Sequence, residues 1–249
     1  MLFDILIFGI ITALGLGIVN TLLYWRLKTH NGYTIIQMKE LCNNYTACVH
    51  HIIVSIISLM WFDSYHVLIK KLIMQENIES EYSTLYEPLI KYTGIFSMGY
   101  FAYDFLSNYL IHKKKEIYVH HITAMIMIIY SLYNKFMTVY IFCAHLFEIS
   151  SIFLCLILNN KIKESSQNKI KKSSIYSIFI QVAFVISFLI IRLIIILCYL
   201  NMLYKTYEYW IQFSINNIIY MVSIILIGAV MNIYWSFAII KKIIYKRRV

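Results

Sequence analysis

"KKKEIYVHHITAMIMIIYSLYN", residues 113–134, sets three lysines at the edge of an apolar run and two adjacent histidines, His120 and His121, one turn inside it. Read as a membrane span, this run decides the class of the whole protein. It also poses a chemical question, because imidazoles at that depth act as catalysts, hold a metal, or decorate the interface.

The rest of the chain has the same character. Of 249 residues, 61% are hydrophobic and 14% charged, with a single proline, Pro88. Soluble domains are nearer half apolar and a quarter charged, so the composition is that of an integral-membrane protein. No polar stretch is long enough for a second folded domain. The five cysteines form no CxxC pair and read as small buried hydrophobes, not as zinc ligands or a disulfide framework. The net charge of +10 reads as a topology signal in basic loops and not as a nucleic-acid surface.

A span needs roughly 20 mostly apolar residues. Seven candidates satisfy this, at about 2–24, 45–67, 93–111, 117–134, 137–158, 174–200 and 213–240. The expected fold is therefore all-α, a polytopic bundle of about seven transmembrane helices. The first run has no basic region and no small-residue cleavage site, so it reads as a retained span and not a removed signal peptide. A short link at Asn134–Phe136 makes the fourth and fifth spans a tight hairpin. Lysines and arginines fix the expected orientation: loops 26–44, 112–116, 159–173 and the tail from 241 hold 16 of them. The opposite side, with the acidic 68–92 loop, holds 5, and Arg192 lies within a span. The positive-inside rule then puts the N-terminus in the lumen and the C-terminus in the cytosol.

Ionisable side chains at membrane depth are costly, so each is a candidate site residue in need of a partner. His50 and His51 lie one to two turns into the second span, near headgroup depth. Asp104 lies on a stripe with Ser97, Tyr100 and Ser107 that repeats at helical spacing. His145 and Glu148 are three residues apart and share a helix face. Asn232 lies toward the end of the seventh span. Arg192 reads as structural, paired with a carboxylate or snorkelling. Striped helices of this kind must face one another or a cavity, since lipid offers no hydrogen bonds. His120 and His121 diverge by 100° around a helix, so one of them points inward, with Asp104 the expected partner. No HxxHH box accompanies them, so a di-iron site is not expected and no metal is assigned.

The segments "GYFAYDFL" (99–106), "VHHITAM" (119–125), "HLFEISSIFL" (145–154), "FLIIRLI" (188–194) and "MNIYWSFAIIKK" (231–242) together resemble the TLC domain. Ceramide synthases, translocating-chain-associated proteins and the neuronal-lipofuscinosis membrane protein share that domain. The resemblance covers roughly residues 40–245. It leaves 1–39 as a first span with its cytosolic loop and 246–249 as a basic tail. It implies an endoplasmic-reticulum bundle that handles long-chain lipids and, in ceramide synthases, acyl transfer at paired histidines. The chain departs from the ceramide-synthase pattern: Thr123 comes two residues after His121, and His145 is followed by Leu146, with Glu148 the nearest acid. It looks closer to the small TLC-domain proteins outside that group.

Two functions share these residues. As a lipid holder or sensor in lipid homeostasis, the protein would seat a long chain between helices, with His50, His51, His145, Glu148, Arg192 and Asn232 as the polar cluster at the headgroup. As an acyltransferase, it would use His120 or His121 as base or acyl acceptor with Asp104 as orienting carboxylate. Acyl-CoA would then be the co-substrate, and no other cofactor is expected. A channel or transporter is a weaker third class, because inverted repeats and Gly/Pro-broken helices are absent. The expected partners are membrane lipids and, as a homodimer, a second copy of the chain.

Overall fold

The computed structural model describes residues 2–29, 32–62, 87–111, 115–134, 141, 144–166, 175–211 and 215–246. Among them are seven long helices and no strand. In chain order they are α1 (Leu2–Lys28), α2 (Ile35–Met60), α3 (Glu87–Ile111), α4 (Lys115–Asn134), α5 (Glu148–Ser166), α6 (Ile175–Ile211) and α7 (Ile215–Lys246). The all-α bundle expected from the composition is what the chain forms. Most of the acidic loop, the Asn134–Phe136 link beyond its first residue, the Lys113–Lys114 pair and the last three residues of the basic tail lie outside the described residues.

Contacts between helices close a ring. α2 packs on α3, α3 on α4, α4 on α7, α7 on α6, α6 on α5, and α5 back on α2. α1 stands outside this ring, lying against α3 and α2. Its seam with α3 depends on two glycines. A Cβ at Gly99 would sit 2.5 Å from Thr12 Cβ and 2.7 Å from the Gly9 carbonyl oxygen. Backbones this close leave room for hydrogen only.

Outward faces are apolar. Leu14, Ile18 and Leu22 on α1, Ile190, Ile194 and Leu197 on α6, and Val230 and Phe237 on α7 are all exposed in the single chain. That surface is suited to lipid and not to water. Three helices, α1, α6 and α7, are long and apolar enough to cross a membrane by length and composition. The four between them carry most of the buried polar residues, which lowers their hydropathy.

Several boundaries differ from the sequence expectation. α2 begins at Ile35, ten residues earlier than the span at 45, because Thr34 and Gln37 form a capping box. The Thr34 hydroxyl accepts from Gln37 N at 3.2 Å, and Gln37 Oε1 accepts from Thr34 N at 2.9 Å. Gly32, at φ 127°, supplies the left-handed conformation just before that cap. α6 continues into the 205–212 segment expected as a loop, as far as Ile211.

The expected fifth span, 137–158, is not one helix. A turn at Leu146–Phe147 interrupts it, and α5 starts afresh at Glu148 and runs to Ser166, into the expected loop. Around the break the backbone bonds are three residues apart: Phe147 N to Ala144 O, Ile149 N to Leu146 O and Ser150 N to Phe147 O, at 3.1, 3.3 and 3.3 Å. The Ser150 hydroxyl also donates to Phe147 O at 2.9 Å. This is a tightened turn of the 3₁₀ kind, and it contains neither proline nor glycine.

Candidate functional site

The capping box moves His50 and His51 to the middle of a helix. His50 lies fifteen residues beyond Ile35, roughly 22 Å along the axis at 1.5 Å per residue. His50 is fully buried and His51 nearly so. The His50 ring stacks on Tyr100 with centroids 3.8 Å apart and planes 12° from parallel.

A continuous polar chain runs from this pair. His51 Nδ1 lies 2.7 Å from Glu148 Oε2, and His50 Nδ1 lies 3.4 Å from His51 Nδ1. His50 Nε2 lies 3.2 Å from Ser97 Oγ, which lies 2.8 Å from His145 Nε2. With Glu148 as a carboxylate, one proton arrangement satisfies the chain. A carboxylate only accepts, so His51 Nδ1 carries the proton and donates to it. His50 Nδ1 is then bare, and its Nε2–H donates to Ser97. The Ser97 hydroxyl donates in turn to His145 Nε2. One buried carboxylate thus orients the two imidazoles of α2, and Ser97 of α3 links them to His145.

A second cluster surrounds Asp104 on α3. Its Oδ1 accepts from Asn43 Nδ2 at 2.9 Å, and its Oδ2 accepts from Asn108 Nδ2 at 2.8 Å. His121 Nε2 lies 3.3 Å from Oδ2, at the long end of hydrogen-bond range. His121 Nδ1 has no hydrogen-bond partner among the described residues. The Phe101 ring stands between the clusters, with its centroid 5.4 Å from His121, 5.8 Å from His50 and 5.9 Å from His120.

A cavity of about 150 Å³ opens inside the ring. Its walls are mostly apolar: Thr123, Met127 and Ile128 of α4, Ile196 of α6, and Ile225, Gly228 and Ala229 of α7. Its polar lining is His120, His145, Glu148, Arg192 and Asn232, with Phe101, Phe147 and Trp235 beside them. A water needs only about 10–15 Å³ by this kind of measure, so the space suits a larger and mainly apolar occupant. The wall between α4 and α7 is fastened at two levels. Tyr220 donates to Ile126 O at 3.0 Å and stacks on Tyr130 at 3.8 Å; farther along, His120 meets Trp235 edge-on at 5.5 Å. Between these levels α7 presents Gly228, where an added Cβ would meet nothing within 4 Å.

Among the described residues Arg192 pairs with no carboxylate and is held by neutral acceptors. Its Nε donates to Ser150 Oγ at 3.1 Å, Nη1 to Asn232 Oδ1 at 2.7 Å and Nη2 to Ser151 Oγ at 3.4 Å. The rings of Phe188, Phe147 and Trp235 lie 4.6, 5.5 and 5.7 Å from its Cζ. The turn at Leu146–Phe147 makes this possible, since it brings Ser150, Ser151 and Phe147 to one guanidinium.

The structure brings Asp104 and His121 together but separates the paired histidines. His120 faces the cavity and has no carboxylate beside it among the described residues, whereas His121 has the carboxylate and does not line the cavity. His145, Glu148, Arg192 and Asn232 gather at the cavity, with His50 and His51 behind Glu148. Ser97, the hub of the histidine chain, is visible in the sequence as part of the polar stripe, though without a role. Asn43 and Asn108 have no such signal: Asn43 falls in an expected loop, and Asn108 is one of many asparagines. Among the described residues no group of three or more histidine, cysteine, aspartate or glutamate side chains is placed to hold a metal ion.

Comparison with known proteins gives one match: a family model described as the TLC domain fits residues 40–241. No curated protein and no solved structure is matched. The matched region begins inside α2 and ends inside α7, so it takes in the ring and leaves α1 outside.

Proposed function

The chain belongs to the TLC-domain family, an integral-membrane family of lipid metabolism or sensing, and from that premise we propose that it holds a long-chain lipid inside its helical ring. The observation that carries this reading is the cavity between α4, α6 and α7. It is apolar along its walls and polar at the group formed by His120, His145, Glu148, Arg192 and Asn232. An acyl chain seated there gains roughly 0.8 kcal/mol per buried CH₂, and the polar group sets its direction. On this reading the protein serves lipid homeostasis in the endoplasmic reticulum, with its C-terminus in the cytosol. Glycosylation acceptor sites test that orientation. One placed in 72–90 is expected to be modified and one in the tail after Lys246 is not; the reverse pattern removes it.

Gly228 offers the direct test of occupancy. Gly228→Phe adds bulk where there is open space, so the fold is expected to survive while the cavity shrinks. Lipid extracted from the purified variant should contain several-fold less of the species that co-purifies with wild type. Equal amounts, or no lipid enriched over the surrounding membrane, would sink the reading.

A second reading, acyl transfer from acyl-CoA, is favoured by one observation. The Asp104 carboxylate faces one nitrogen of His121, and the other nitrogen is unpartnered, as in an oriented general base. Its difficulty is position, because His120 and not His121 lines the cavity. Cellular lipid profiles separate the two. Acyl transfer predicts that His121→Ala matches the complete knockout, whereas lipid holding predicts a partial change.

A further inference from the structure

We infer that Arg192 anchors the head of the bound lipid, and that the ligand is a single acyl chain ending in an oxyanion, a carboxylate or a phosphate. This deepens the lipid-holding reading and rests on it. Arg192 is 8% exposed and lines the cavity. A guanidinium has five N–H donors, and three of them are used here, all on neutral acceptors: Ser150, Ser151 and Asn232. Among the described residues one donor remains on each terminal nitrogen, enough for an oxyanion to accept from both. The neutral partners are themselves fixed. Asn232 Nδ2 donates to Gly228 O at 2.8 Å, which turns the amide oxygen toward Arg192, and Ser150 Oγ donates to Phe147 O at 2.9 Å.

A cation at membrane depth is expensive, and among the described residues no carboxylate hydrogen-bonds Arg192. Glu148 lines the same cavity, but its carboxylate is taken by His51 at 2.7 Å. Asp104 is taken by Asn43, Asn108 and His121. The other titratable groups at the cavity, His120 and His145, are imidazoles and bring no negative charge. Three rings lie 4.6 to 5.7 Å from the guanidinium carbon, and Arg192 shares the apolar cavity with Gly228, past which an acyl chain would extend. An amphiphile with an anionic head would hydrogen-bond the guanidinium directly and fill the apolar walls together.

Binding of radiolabelled palmitate, hexadecanol and a lysophosphatidate to the purified full chain in nanodiscs tests this. Wild type is expected to bind palmitate, lysophosphatidate or both about 10- to 100-fold more tightly than hexadecanol, the range for a hydrogen-bonded charge. Arg192→Gln should reduce the anionic ligands to the hexadecanol level and leave hexadecanol unchanged, while Arg192→Lys should retain part of the preference. Equal binding of hexadecanol and both anions by wild type overturns the anchor and leaves lipid holding intact. Failure of all three ligands, with no response to Gly228→Phe, overturns both. Displacement of palmitate by acetate or inorganic phosphate at comparable concentration would assign the fork to a soluble anion and overturn the acyl claim. Should Arg192→Gln fail to fold, the comparison of head groups on wild type decides alone.

Discussion

Asp104→Ala is expected to lower the unfolding free energy of the purified protein by about 3–5 kcal/mol, the scale for removing one partner from a buried charged network. The carboxylate is almost fully buried and receives the amide protons of Asn43 and Asn108, with His121 Nε2 at its Oδ2. Alanine leaves these donors facing a void between α2, α3 and α4. Lipid cannot compensate them, and the space opened is too enclosed for headgroups. Asp104→Asn should fall between the two, because one acceptor oxygen survives while the new NH₂ meets the NH₂ of Asn43 or Asn108. Chaotrope or thermal unfolding in a mild detergent reads the effect. An alanine variant as stable as wild type would mean that Asp104 does not hold these helices together.

Gly99→Leu should act by a different route, separating α1 from the ring. The added Cβ meets Thr12 Cβ and a backbone oxygen, neither of which can swing aside. Overpacking of this kind typically costs about 1–3 kcal/mol, and more where backbones must part. The control is Gly15→Leu on α1, where an added Cβ meets nothing within 4 Å, which should leave stability unchanged. Removing residues 2–28 in the Gly99→Leu background should add little further loss, since a seam already broken cannot be broken twice. Equal stability of the Gly99 and Gly15 variants would refute the close-packed seam.

How much of this was legible depended on the kind of signal. Composition and the long apolar runs identify an all-α membrane bundle, because a bilayer leaves few other solutions for such a chain. The Asp104 stripe and the nearby His121 were legible for the same reason: polar groups at that depth need each other. The mid-helix position of His50 and His51 was legible in the T-x-x-Q capping signal at Thr34–Gln37, which starts α2 ten residues before the apolar run. The break at Leu146–Phe147 has no proline or glycine to announce it, so a continuous fifth span was the natural expectation. Ring closure could not be read at all. Chain order says that neighbours pack, but nothing in it says that α5 returns to α2 or that α4 meets α7.

The distribution of apolar and polar helices has a consequence for how the protein is made. α1, α6 and α7 meet the length and hydropathy standard for a span, while the four helices synthesised between them do not. A charged residue near a helix centre opposes insertion from the translocon by about 2.5–3.5 kcal/mol. α3 brings Asp104, whose partners Asn43 and His121 arrive on α2 and α4. α5 brings Glu148, whose partner His51 is already on α2. The middle of the chain is therefore expected to enter the bilayer cooperatively, each polar segment waiting at the translocon until its counterpart emerges.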